Sequence, residues 1–414
     1  MNRKNLIIFL NSLAIALVIN AQYLSYIFNL FLGISGGVVT FVYIFSALLV
    51  FLGALINGGK LNIQIKNYNL FLIIYVLIAF LLSFIFAPGK GVKDYVTDFI
   101  ATGVITFFLI QNKYSNRYVL IINMMMGVFF CINPTRYINS SLLSISYDRA
   151  SMFASYILVP IILSAIYHFM YFREKKYYLY ILYLLDGFVL LRTITILGRG
   201  PILSLIVGVI IAFLFRSNNK WTNRPNKQKL RYIVLIVLGF ILFVEGEELL
   251  LLTYNLFERM GIHVAALIKS VDLISSNQGE LLNNRNIRWS WAIEMIAENP
   301  IFGNGIGSYY DRYQTWPHNF ILQLFVELGI LGALPILILF IRSILWMFFG
   351  NIDKEEAVMI GFLFSISIPR LMLSSYLWHH PEFWMFMFLC IVSIEKNRKI
   401  NERNKNENRN INIS

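Results

Sequence analysis

The stretch "TWPHNFILQLFVELGILG", residues 315 to 332, decides the class of fold. Its polar head, His318-Asn319, opens onto an apolar run that continues through Phe349. A membrane span needs roughly 20 apolar residues, at about 1.5 Å each, to cross about 30 Å of hydrocarbon. Residues 329 to 349 meet that length, and comparable runs recur on either side, at 5–22, 36–56, 69–86, 94–112, 118–133, 152–171, 177–197, 201–215, 232–252, 357–374 and 382–395. The 414 residues are 58% hydrophobic and 14% charged, and the mean hydropathy is +0.66, far above a water-soluble domain. The expected fold is therefore all-α and polytopic, with about 12 transmembrane helices.

Thirty-five Lys and Arg against 22 Asp and Glu leave the chain at +13. Their distribution argues against a nucleic-acid partner, because the cations gather in short loops: Lys60 and Lys66, Lys113 and Arg117, Arg173 to Lys176, Arg216 to Arg231, and the tail. That pattern is the positive-inside bias of a membrane protein and predicts both termini in the cytoplasm. Met1-Asn2-Arg3-Lys4 and the run after it imitate a signal peptide, but further spans follow, so the first span is expected to be retained. Cys131 and Cys390 lie in apolar runs and suggest neither a disulfide nor a cysteine metal site.

The chain divides into spans one to nine over 1–252, a long extracytoplasmic loop over 253–328, spans ten to twelve over 329–395, and a polar tail over 396–414, expected to be a disordered cytoplasmic end. Long loops in compact proteins are more often functional than idle. Within this one, "NIRWSWAIEMIAENP", residues 286–300, spaces Trp289, Ile293 and Ile296 for one helical face and stops at Asn299-Pro300. Its tryptophans suit a short amphipathic helix lying on the membrane surface. The first outer loop, by contrast, has no acid in residues 23–35, which disfavours a dolichol-mannose type of transferase.

"NPIFGNGIGSYY", residues 299–310, has no preceding strand and no Gly-Lys-Ser/Thr, which excludes a nucleotide loop. It leaves two readings: a flexible turn, or a backbone nest whose N–H groups hold a pyrophosphate. Several arginines fall on the outer side, against the charge trend: Arg136 and Arg149, Arg199 in the "LGRGP" turn, Arg285 and Arg288. A guanidinium stays protonated and its planar fork matches phosphate oxygens, so clustered arginines with few acids read as a dock for a phosphorylated substrate. The bland alternative for any one of them is a headgroup contact or an ion pair with an acid such as Asp148. Arg192, seven residues before Arg199, is expected two turns away on the same helical face, extending that dock inward.

His318 brings an imidazole able to accept a hydroxyl proton near neutrality. Nine residues separate Asn319 from Gly329, and Gly329 and Gly332 are small enough to permit close helix approach. His379 and His380 in "YLWHHPEFW" have only Glu382 close by and no further ligands at metal spacing, so they read as an interface feature.

Taken together, "MIAENPIFGNGIGSYY", "PHNFILQLFVELGILG" and "GRGPILSLIVG" closely resemble the O-antigen ligase and O-antigen polymerase family of bacterial membrane glycosyltransferases. The strong part is residues 288–332, with a shorter segment at 198–208. The resemblance implies transfer of a glycan from an undecaprenyl-diphosphate-linked oligosaccharide to an acceptor glycan or glycolipid, on the outer face of the bacterial cytoplasmic membrane. Arg199 and Arg288 would hold the donor diphosphate, with Arg149 matching more loosely. His318 would be the general base, and Asn319, Gly329 and Gly332 its supporting motif. No cofactor, nucleotide sugar or metal is implied. Between the branches, a polymerase joining repeat units is preferred to a ligase that moves finished glycan to a lipid A core, and a chain-length regulator is a possible partner. A lipid-linked oligosaccharide flippase is disfavoured, because apart from Asp186 and Arg192 the spans carry few polar groups.

Overall fold

The computed structural model describes residues 2–34, 37–59, 67–132, 155–172, 174, 176–193, 199–216 and 285–411, with a few isolated positions between 254 and 271. The described residues are helical and form no strand. Helices α1 (Arg3–Ile19) and α2 (Ala21–Leu32) are bent by 71° at Asn20; α3 (Val38–Ile56) and α4 (Asn67–Phe86) follow. Then come α5 (Lys90–Phe99), a π-helical turn over Ile100–Val104, α6 (Ile105–Gln111), α7 (Asn116–Ile132), α8 (Val159–Tyr171), α9 (Tyr177–Thr193) and α10 (Arg199–Arg216). Two short helices, α11 (Arg285–Glu298) and α12 (Ser308–Tyr313), precede α13 (Phe320–Phe349), α14 (Lys354–Leu373), a 3-10 turn at Leu377–His379 and α15 (Pro381–Ile411).

Among the described residues, five helices are long and apolar enough to cross a membrane, or six if the bent α1–α2 pair is one span. The expected count of about 12 is thus not confirmed among the described residues. The helices over 116–132, 159–171 and 200–215 are apolar but shorter, and the expected span at 232–252 lies outside the described residues. Residues 23–32, expected as a loop, form α2. The tail expected to be disordered is helical through Ile411: Lys396 bridges Asp353 and Glu356, and Arg398 pairs with Glu402 one turn on.

The packing runs α1 against α3 and α7, α7 against α8 and α9, α10 against α8 and α14, and α15 against α14, α13 and α6. Exposed Phe, Leu and Ile cover the outward faces of α3 and α4, as lipid contact requires, while α14 is mostly buried.

Helix α13 starts nine residues before the expected span because Asn319 caps it, its Oδ1 accepting from Ile321 N at 3.0 Å and Leu322 N at 3.2 Å. It then breaks at Gly329, with φ 61° and ψ −173°. A broken helix among apolar neighbours must have its freed backbone groups satisfied. The glycine-rich segment does this: Asn304 N and Gly305 N donate to Val326 O and Glu327 O, while Ile330 N and Leu331 N donate to Pro300 O and Ile301 O.

Candidate active site

One end of the bundle gathers α11, α12, the head of α13, the N-terminus of α5, the start of α10 and the turn between α14 and α15. Asp311 on α12 caps α5, accepting from Gly91 N at 2.8 Å. Gly91 and Gly307 approach backbone to backbone, leaving no room for a Cβ on Gly91. The loop around His318 is thereby tied to α5.

The glycine segment is not an anion nest. Its amides are spent on the fold: Gly303 N donates to Asn299 O, Asn304 N and Gly305 N go to α13, Ile306 N donates to Ser83 Oγ at 2.9 Å, and Gly307 N donates to Glu327 Oε1 at 3.3 Å. The positive φ values of Gly303, Gly305 and Gly307 support the turn reading, and the turn is locked onto the break in α13. Of the two motif glycines, Gly329 receives this segment, whereas Gly332 faces α4, where Tyr75 donates to its carbonyl at 2.7 Å.

His318 sits between Pro317 and the cap Asn319 with φ 55°, the left-handed region that costs a non-glycine residue about 1 to 2 kcal/mol. Such strain persists where the surroundings over-determine it. Here Trp289 Nε1 donates to Pro317 O at 3.1 Å, and the Trp316 ring meets the His318 ring edge-on at 6.2 Å. Trp289 is the neighbour of Arg288 on α11, so one hydrogen bond couples the arginine helix to the histidine loop. Arg288 is half-buried and its carbonyl accepts from Tyr309 at 2.9 Å.

Arg285 lies one turn before Arg288 and within electrostatic reach of Tyr156. Burial pushes its guanidinium below the usual range; Tyr156 opposes this and the Arg288 charge adds to it. Tyr156 links these residues to α14: its hydroxyl is 2.9 Å from Ser374 Oγ, and the Arg370 guanidinium lies 5.1 Å from its ring centre. Arg370 Nη2 donates to Gln22 Oε1 at 2.8 Å. Gly200 packs against the Tyr156 hydroxyl with no space for a Cβ, so the start of α10, opened by the Arg199 backbone, reaches the same group.

The structure thus brings His318, Asn319, Arg285, Arg288 and the Arg199 backbone to one end of the bundle. Arg192 is exposed on the last described turn of α9, and the expected face shared with Arg199 runs through residues 194–198, which lie outside the described residues. Arg136 and Arg149 lie outside the described residues, as does the Arg199 side chain. The residue that the sequence reading missed is Arg370, counted there as part of a span. A lone arginine inside an apolar run was the available signal.

A second polar group adjoins the first. Tyr376 stacks flat on Trp316, 5.1 Å between centres and 2° between planes, and donates to Asp98 Oδ2 at 2.6 Å. Burial first, and then the Asp98 charge, hold the Tyr376 hydroxyl well above its usual range, so it stays a donor. His379 Nδ1 faces Asp98 Oδ1 at 3.3 Å, and His380 Nδ1 faces Glu382 Oε2 at 3.4 Å.

Fold and site together define an all-helical membrane protein that sets fixed guanidinium groups beside imidazoles at one end of its bundle. Residues 182–337 match the family model described as O-antigen ligase, and in that segment the chain is O-antigen ligase-like. The matched segment holds Arg199, Arg288, His318, Asn319, Gly329 and Gly332, and ties the protein in general terms to O-antigen ligase or polymerase function in a bacterial membrane. No curated protein and no solved structure matches the chain.

Proposed function

We propose that this protein is a polysaccharide polymerase that transfers a glycan from an undecaprenyl-diphosphate-linked donor to the acceptor hydroxyl of another repeat unit. The observation that carries the reading is the convergence of His318 with Arg285, Arg288 and Arg370 at one end of a bundle whose matching segment is O-antigen ligase-like. In it, His318 takes the acceptor proton, a contribution of roughly 10² to 10⁴ in rate. Arg199 and Arg288, together with Arg149 and Arg192, bind the diphosphate, and the fixed cations stabilise the charge that develops as it leaves. The reaction draws on no metal, because the diphosphate is already activated and arginines neutralise it. The site end faces away from the cytoplasm, both termini face into it, and the membrane is the cytoplasmic one; a chain-length regulator is a candidate partner.

Gene deletion followed by gel analysis of surface polysaccharide tests this. A polymerase leaves single repeats on the acceptor when lost. A bare acceptor with long chains held on the polyprenyl carrier would make the protein a ligase instead. Purified protein that moved labelled lipid-linked glycan between leaflets without forming larger product would make it a flippase.

A further inference from the structure

The 3-10 turn Leu377–His379 is held more firmly than a connection between two helices requires. Leu377 N donates to Gln323 Oε1 at 3.0 Å, Trp378 Nε1 to Glu327 Oε2 at 2.8 Å, and Thr102 Oγ1 to Trp378 O at 2.6 Å. Gln323 Nε2 donates in turn to Glu327 Oε1 at 3.0 Å. Gln323, Glu327, Thr102 and Trp378 are all buried, and burying a carboxylate, an amide and an indole N–H is unfavourable unless each is matched. Thr102 lies in the π-helical turn, a local departure that often accompanies functional sites. Gln323 and Glu327 lie one turn apart on α13, the helix that begins beside His318.

What this framework positions is His379. Its Nδ1 faces Asp98, whose other oxygen is fixed by Tyr376, which directs Nε2 away from the carboxylate; the His379 and Asp98 side chains are each 27% exposed. A carboxylate facing one imidazole nitrogen is the arrangement of acid–base dyads. His379 stacks on Tyr376 at 5.6 Å, Tyr376 on Trp316, and Trp316 touches His318, so the two imidazoles flank one aromatic stack. His380, by contrast, is buried against Glu382.

Building on the transferase reading above, we propose that His379, backed by Asp98, is a second acid–base group of this site, protonating the departing diphosphate while His318 accepts the acceptor proton. The acceptor oxygen bonds to the anomeric carbon as the bond from that carbon to the phosphate oxygen breaks. The electron pair of that bond stays on the diphosphate, which takes the proton from His379 Nε2. His318 then loses its proton to water and His379 regains one.

The test uses the full-length protein in lipid nanodiscs, with lipid-linked repeat units extracted from cells lacking the gene as donor and acceptor. His379→Ala is expected to lower turnover by about 10²-fold or more, with KM within about twofold of wild type, and added imidazole to restore part of the rate. Asp98→Asn is expected to lower turnover less. Wild-type turnover in His379→Ala overturns the proposal. So does a loss that imidazole leaves unchanged and that comes with a raised KM, since that outcome describes a structural turn. If the wild-type protein itself builds no longer chains, the transferase reading fails, and this inference fails with it.

Discussion

Gly303 and Gly329 meet backbone to backbone: a Cβ built on either would overlap the amide nitrogen of the other, and both hold positive φ, 76° and 61°. The contact closes the break in α13 and ties the segment after the arginine helix to the helix that opens beside His318. Gly329→Ala forces a Cβ into a positive-φ, extended-ψ conformation reached essentially by glycine alone, a strain of about 1 to 3 kcal/mol, and adds an overlap that neither backbone can relieve by turning a rotamer. Thermal unfolding in detergent is expected to shift clearly downward for Gly329→Ala and for Gly303→Ala, with polysaccharide lost in both. An unchanged midpoint would mean that the interlock contributes nothing.

His318 separates stability from activity. In the left-handed region glycine is free of the Cβ penalty, so His318→Gly is expected to unfold no earlier than wild type and to gain up to about 1 kcal/mol. Chain growth is expected to be absent in both His318→Gly and His318→Ala, with the protein still inserted. A normal polysaccharide ladder in either would remove the base assignment.

The arginines differ in what they contact. Arg288→Ala is expected to abolish chain growth, and Arg288→Lys to recover part of it, since an ammonium supplies charge without the planar fork. Arg370→Gln keeps a donor for Gln22 but removes the charge over Tyr156, and is expected to raise donor KM by about tenfold. Steady-state kinetics on extracted lipid-linked repeat units decides; unchanged donor KM in Arg370→Gln would place Arg370 outside the site.

Acid is expected to weaken the fold through His380. Burial first, then the Arg370 charge, push this imidazole down to about 4, while Glu382 at 3.4 Å pulls the other way and His379 adds a small lowering effect. A histidine held neutral in the fold leaves stability intact above the unfolded value of about 6.5, and stability falls as pH drops from there toward 4. Thermal midpoints across that interval are expected to decline more steeply for wild type than for His380→Gln. Equal slopes would show that another group carries the acid sensitivity.

The amino-acid sequence by itself determined the membrane class, the helical character, the arginine-bearing helix α11 and the His318-Asn319 head of α13, because hydropathy, residue spacing and capping act within a few residues of each other. Those local patterns also explain its misses: the hydropathy of α13 does not reveal a break at Gly329, and Gly303 to Gly307 read as a turn or a free nest in isolation, whereas their amides bond to Asn299, to Ser83 on α4 and to α13. Tertiary structure alone decided that Arg370 stands over Tyr156, that Asp98 backs His379, and that Glu327 pins Trp378. These pairs join helices far apart along the chain, and their hydrogen bonds need directions that packing sets. No periodicity within either segment encodes the partner.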